Sequence, residues 1–163
     1  ASDVYKRQDT GYAQLIEEID KTEGSKPIAV IFNLGVNDLG NAGNYVSYMT
    51  SIASTLKSKN CKLFYMSVNP INSTMITKAG RGARTEAQVR EFNSKIRSGL
   101  SLDYKYIDMY SVLMKKGYGT NASYNGTDAD SDDGLHYTTK TFKRIYYYCI
   151  TYLNTGSINA SYY

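Results

Sequence analysis

Two short polar clusters carry the chemistry this chain could perform: Gly35-Val36-Asn37-Asp38 and, about a hundred residues later, Asp133-Gly134-Leu135-His136. His136 is the only histidine, and one histidine cannot build a His-based metal site. With Asp133 three residues upstream, a turn can bring a carboxylate to one imidazole nitrogen. That fixes the tautomer and leaves the other nitrogen as a base. An asparagine such as Asn37 at a strand tip offers a side-chain N–H to a developing oxyanion. One such donor is typically worth about 2.7–4 kcal/mol of transition-state stabilisation.

The elements that must position these residues start with the apolar run Ile28 to Phe32 and Leu34, preceded by Pro27 and closed by Gly35. A continuous apolar run between breakers reads as a strand covered on both faces, as in a parallel sheet. Polar residues beyond the carboxyl end of such a strand sit where open α/β sheets bind ligands. Around it the pattern predicts a helix over 12–21, the strand over 28–34, a helix over 44–59 and a strand over 61–68. A helix opened by Thr85 with Gln88 as its capping-box partner follows. A strand over 104–110, a short helix over 112–116 and a last helix capped by Thr139 complete the set. The order α-β-α-β-α-β-α calls for a parallel sheet with helices on both faces. The segment 71–84 is polar, has no strong period and is long for a connection, which suits a loop that shapes a site. Residues 1–10 show no pattern and make a poor start to a domain, like the edge of a longer reading frame. The tail from Asn154 onward reads as frayed.

At 163 residues one core suffices, so a single domain is expected. No apolar run approaches the roughly 18 residues needed to span a bilayer, and no apolar leader is visible at the start. The net charge of +4 is spread along the chain, and its densest basic stretches, 81–90 and 140–144, are interrupted. That favours a solvated surface over a nucleic-acid stripe. The 17 tyrosines suit half-buried helix faces. Cys61 and Cys149 read as buried fillers, since two cysteines make neither a disulfide framework nor a zinc site. Asp128, Asp130 and Asp132 alternate as in a calcium loop, but Asp133 and Thr139 stand where that loop needs Gly and Glu. Neither metal nor organic cofactor is implied. Sequons at Asn72, Asn121, Asn125 and Asn159 matter only in a secreted, glycosylated setting.

GVND followed by DGLH at the mouth of a C-terminal helix resembles the SGNH hydrolases, also called GDSL-type esterases and lipases. The wider phrases VIFNLGVNDLGN and DDGLHYTTKTFKRIYYY fit as well. The resemblance spans roughly Gly11 to Leu153, within a domain bounded at 11–154. It implies a flavodoxin-like sheet and hydrolysis of acyl esters through a serine ester. His136 would be base and then acid, Asp133 its orienting carboxylate, and Asn37 an oxyanion donor. Gly11, in DTGYAQL before the first helix, falls where the family's oxyanion glycine belongs. The implied substrates are O-acetylated glycans, lipids or small esters, and the family leans towards the extracellular side or cell surface.

The departure is the nucleophile: no Gly-Asp-Ser occurs anywhere in the chain. The pattern is that of the family's fold with its first βα unit, at least ~30 residues, removed. Ser67 and Ser131 lie near the right places, but neither is in a strand-to-helix elbow. Without a triad member, only the slow catalysis of binding and oxyanion hole remains. The apolar strand 28–34 would then face an empty neighbouring position, and such an edge invites self-association. Two other readings stand beside this one: a non-catalytic glycan- or peptide-binding module on the same fold, and a truncated product without function of its own.

Overall fold

A computed structural model describes residues 2–118 and 133–158, with side chains from Thr10 onward. The elements are α1 (Ser2–Lys21), β1 (Ile28–Phe32), α2 (Ala42–Ser58), β2 (Cys61–Met66), α3 (Ser73–Lys78), α4 (Glu86–Gly99), β3 (Tyr104–Ile107), α5 (Met109–Lys115) and α6 (Thr139–Thr155). The three strands form an open parallel sheet in the order β1-β2-β3. Val30 is paired with Leu63, and Leu63 in turn with Tyr104.

Side chains alternate across a strand, and both faces of this sheet are apolar. Ile28, Val30 and Phe32 gather with Leu63, Tyr65 and Tyr104 against Ile19 of α1, Met49 and Leu56 of α2, and Phe92 and Ile96 of α4. On the opposite face Ile31, Phe64, Met66 and Ile107 meet Leu113 of α5 and Ile145, Tyr148 and Cys149 of α6. The continuous run in β1 follows from this double burial, as expected for the mixed α/β class. Both cysteines are buried and free. No helix among the described residues is long and apolar enough to cross a membrane.

Local signals explain most boundaries. Thr85 and Gln88 form the reciprocal capping box at the start of α4. At α6 the cap is Thr138, one residue before the expected Thr139, and its hydroxyl accepts from the Thr141 N–H. The segment 71–84 contains a helix, α3, capped by Asn72; six residues are too few to print a period. Helix α1 starts ten residues before the expected position 12, because a helical stretch without an apolar stripe leaves no period to read. The strands stop at Phe32, Met66 and Ile107, short of their expected ends.

β1 pairs only with β2, so its other edge is open among the described residues. Ile28 N–H donates inward to Asn60 O at 3.1 Å. By the alternation of a parallel ladder, Ala29 and Ile31 therefore turn their peptide groups to that open edge. Leu34, just after β1, and the α6 residues Phe142, Tyr146 and Ile150 are exposed, and Leu34 and Phe142 line the same cavity. Positions 142, 146 and 150 share one helix face.

Candidate functional site

The site lies beyond the carboxyl ends of β1 and β2. At the first tip, Gly35 takes φ 113°, and a Cβ there would sit 2.1 Å from Phe92 Cζ. Only glycine allows both the turn and the close approach of α4. Asp38 N–H then closes the turn onto Gly35 O at 2.9 Å, and Asn41 N–H reaches Asp38 O at 2.8 Å. The Asp38 carboxylate accepts from Tyr45 OH at 2.9 Å, so it ties the turn to α2. Asn37 is left exposed.

The second cluster is a carboxylate nest. Asp133 Oδ1 accepts from the N–H groups of Leu135 at 2.9 Å and His136 at 2.8 Å, while Oδ2 lies 2.7 Å from His136 Nδ1. Arg81 Nε is a further neighbour of Oδ2 at 3.3 Å. Burial pushes the Asp133 carboxyl up, but the backbone and side-chain hydrogen bonds from His136 and the bond from Leu135 outweigh it. The carboxyl ends well below the ordinary aspartate range. A carboxylate so held accepts a hydrogen bond from Nδ1–H of a neutral imidazole and leaves Nε2 as the basic nitrogen. The His136 side chain is 69% exposed, and no described residue hydrogen-bonds Nε2. Gly134, at φ 78°, sits against α3 so closely that a Cβ would be 2.5 Å from Asn72 O. Its own carbonyl accepts from Asn72 N–H at 2.9 Å.

The loop before α4 bridges the two clusters. Arg84 donates from Nη2 to Asn37 Oδ1 at 3.1 Å, from Nε to Val36 O at 3.0 Å and from Nη1 to Arg81 O at 2.5 Å. Arg81 in turn faces Asp133. Asn37 and His136 therefore belong to one neighbourhood, joined through Arg84, Arg81 and Asp133. Both arginines fall in the stretch expected to be a solvated basic surface; Arg81 is indeed exposed, and both also engage the clusters.

A cavity of about 170 Å³ opens beside His136. Its walls include Leu34 and Val36 after β1, Val68 to Ile71 after β2, Tyr137, and Phe142 of α6. The walls after β2 are fixed by α4. Asn93 accepts from Val68 N–H at 2.8 Å and donates to Val68 O at 2.9 Å. Glu86 accepts from Ile71 N–H and, at 2.7 Å, from Tyr110 OH.

Of the residues singled out in the sequence, Asp133 and His136 are hydrogen-bonded, Asn37 connects to them only by way of Arg84 and Arg81 and does not line the cavity, and Gly11 lies apart. Gly11 lies inside α1, where its N–H is spent on the helix ladder, and nothing approaches its Cα within 4 Å of a built Cβ. It cannot serve as an oxyanion donor there. Ser67 is fully buried, and its Oγ accepts from Tyr110 N–H at 2.7 Å, so it is structural. Ser131 and the aspartates 128, 130 and 132 lie outside the described residues. No group of potential metal ligands occurs among the described residues. Arg81 and Arg84 carried no signal of their own in the sequence, because no spacing rule ties either to a motif. No family model matches the chain, and no curated protein or solved structure matches it either.

Proposed function

We propose that this chain is the larger part of an SGNH-type acyl-ester hydrolase on a flavodoxin-like sheet, without its nucleophile strand. The observation that carries the reading is the Asp133–His136 pair, at 2.7 Å, opening onto a cavity at the carboxyl ends of parallel strands. Asn37 stands in the adjoining turn. In this reading His136 Nε2 takes the proton of an attacking serine hydroxyl and returns it to the departing alcohol. Asp133 holds the imidazole, and the Asn37 amide nitrogen stabilises the oxyanion. The open edge of β1 supports the reading further, because a fourth parallel strand there would end beside the same cavity.

Alone, the chain has almost no turnover of p-nitrophenyl acetate; robust turnover abolished by His136→Ala would reveal a nucleophile within the chain and overturn that part. Extended at its N-terminus by a βα unit whose strand ends in Gly-Asp-Ser, the chain gains His136-dependent turnover. A folded extended chain that stays inert would refute the hydrolase reading. The second reading, a non-catalytic glycan- or peptide-binding module, is favoured by the burial of Ser67. Glycan or peptide binding unchanged by His136→Ala would support it.

A further inference from the structure

The cavity beside His136 runs from a buried floor to an exposed rim. Val68 and Ile71 among its walls are buried, whereas Leu34, His136 and Phe142 are exposed. The floor is held by bonds to its backbone, which leaves its apolar side chains free to face a ligand. Asn93 holds the N–H and the carbonyl of Val68, Glu86 accepts from Ile71 N–H, and Tyr137 OH donates to Pro70 O. At the rim, Leu34 O accepts from Tyr65 OH at 2.9 Å.

No Asp, Glu, Lys or Arg is among the described residues that line the cavity. Its polar side chains are largely committed or shut away. Asn33 Nδ2 donates to Ser67 O at 2.9 Å and to Met66 O at 3.3 Å, and Asn69 Oδ1 is buried. A charged group or a sugar ring set against Val68 and Ile71 would therefore lose its hydration without new partners. A hydrocarbon chain instead gains about fourfold in affinity per buried methylene. The volume sets the length. At about 170 Å³ the space is close to that of a cavity, about 150 Å³, that takes up a single benzene ring, so about six carbons fill it. A floor packed as protein interiors are yields little to a longer chain.

We infer that this cavity binds an uncharged hydrocarbon chain or single ring of up to about six carbons, and that Val68 and Ile71 set the limit. The binding claim stands apart from catalysis. It rests on the hydrolase reading only in naming the bound chain as the acyl half of the ester. The alcohol half departs with a proton from His136 and must reach solvent across the exposed rim, whereas the acyl half stays on the enzyme between the two steps. The substrates are then esters of short acyl groups, and long-chain lipids are excluded.

The test is a titration of the full chain at pH 8 with methyl ketones from 2-butanone to 2-decanone, followed by NMR at the His136 ring and the methyl groups of Val68 and Ile71. Affinity rises about fourfold per added methylene through 2-hexanone and stops rising by 2-octanone. The anion 4-oxopentanoate, with a carboxylate at the far end of its chain, binds at least about tenfold more weakly than 2-pentanone. In Val68→Ala, which leaves the backbone bonds to Asn93 in place, the limit moves out by about one or two carbons. The wild-type series needs no variant, so it stands even where Val68→Ala fails to fold. Affinity that keeps climbing to 2-decanone, no ketone binding at millimolar concentration, equal binding of 4-oxopentanoate, or an unmoved limit in folded Val68→Ala would each overturn the inference. A serine-bearing extended chain that stays inert while the length limit holds would instead count against the hydrolase reading alone.

Discussion

Arg84 reaches from the loop before α4 to place Nη2 3.1 Å from the side-chain oxygen of Asn37. With that oxygen engaged, the amide nitrogen is the end of Asn37 left to face a ligand. An exposed asparagine would otherwise sample both orientations, and the guanidinium selects the one that can donate to an oxyanion.

Arg84→Met should therefore act on chemistry as well as on stability. Arg84 makes three hydrogen bonds, one of them partly buried, so the thermodynamic loss is about 1–2 kcal/mol. In a chain supplied with a nucleophile strand, kcat falls at least about tenfold with KM nearly unchanged, as for loss of a transition-state donor. Steady-state kinetics and the NMR signals of the Asn37 side-chain amide check both halves.

Asp133 makes the fold sensitive to acid. Its folded carboxyl lies below the ordinary value of 3.8, so its contribution is complete above that value and disappears as the pH falls through the folded one. Urea unfolding should show Asp133→Asn less stable than wild type by a constant amount between pH 7 and pH 5. Below pH 3.8 the gap narrows by about 1.4 kcal/mol per pH unit. A gap that widens in acid would contradict the assignment.

The left-handed glycines Gly35 and Gly156 answer differently to substitution. Gly35→Ala meets both a left-handed backbone and the Phe92 ring and should cost about 3–5 kcal/mol. Gly156 ends α6 with φ 74° but has open space around it, so Gly156→Ala costs only about 1 kcal/mol. Adding Phe92→Leu to Gly35→Ala recovers part of the loss, a coupling that a double-mutant cycle measures directly.

The open edge of β1 should drive self-association that rises with concentration, and the exposed apolar side chains of α6 add to the tendency. Ala29 turns its N–H outward, so Ala29→Pro removes a donor from the edge while leaving the ladder to β2 intact. The variant keeps its circular dichroism spectrum and scatters light as a monomer. A wild-type chain that is monomeric at high concentration would remove the prediction.

What could be read from the sequence was local. Thr85 and Gln88 are three residues apart and cap each other; Asp133 and His136 are three apart and hydrogen-bond. The strands betray themselves as short apolar runs packed on both faces of the sheet, although Ala29, Lys62 and Lys105 stay exposed. The groups that complete the site act across long separations: Arg84 on Asn37, Asn93 on Val68, Glu86 on Ile71. No spacing rule links such pairs, because the fold alone brings them together. Gly11 misled for the opposite reason: glycine is common before helices, and nothing nearby in sequence marks that the helix is already under way.

The turn that carries His136 is stitched to α3 through Gly134 O and Asn72 N–H, and to the end of β2 through Tyr137 and Pro70. Its position therefore depends on α3 and on the end of β2, neither of which carries a group that reacts. A substitution that loosens α3 or shifts Pro70 would move the imidazole as well, so the reach of this site extends into elements that look purely architectural.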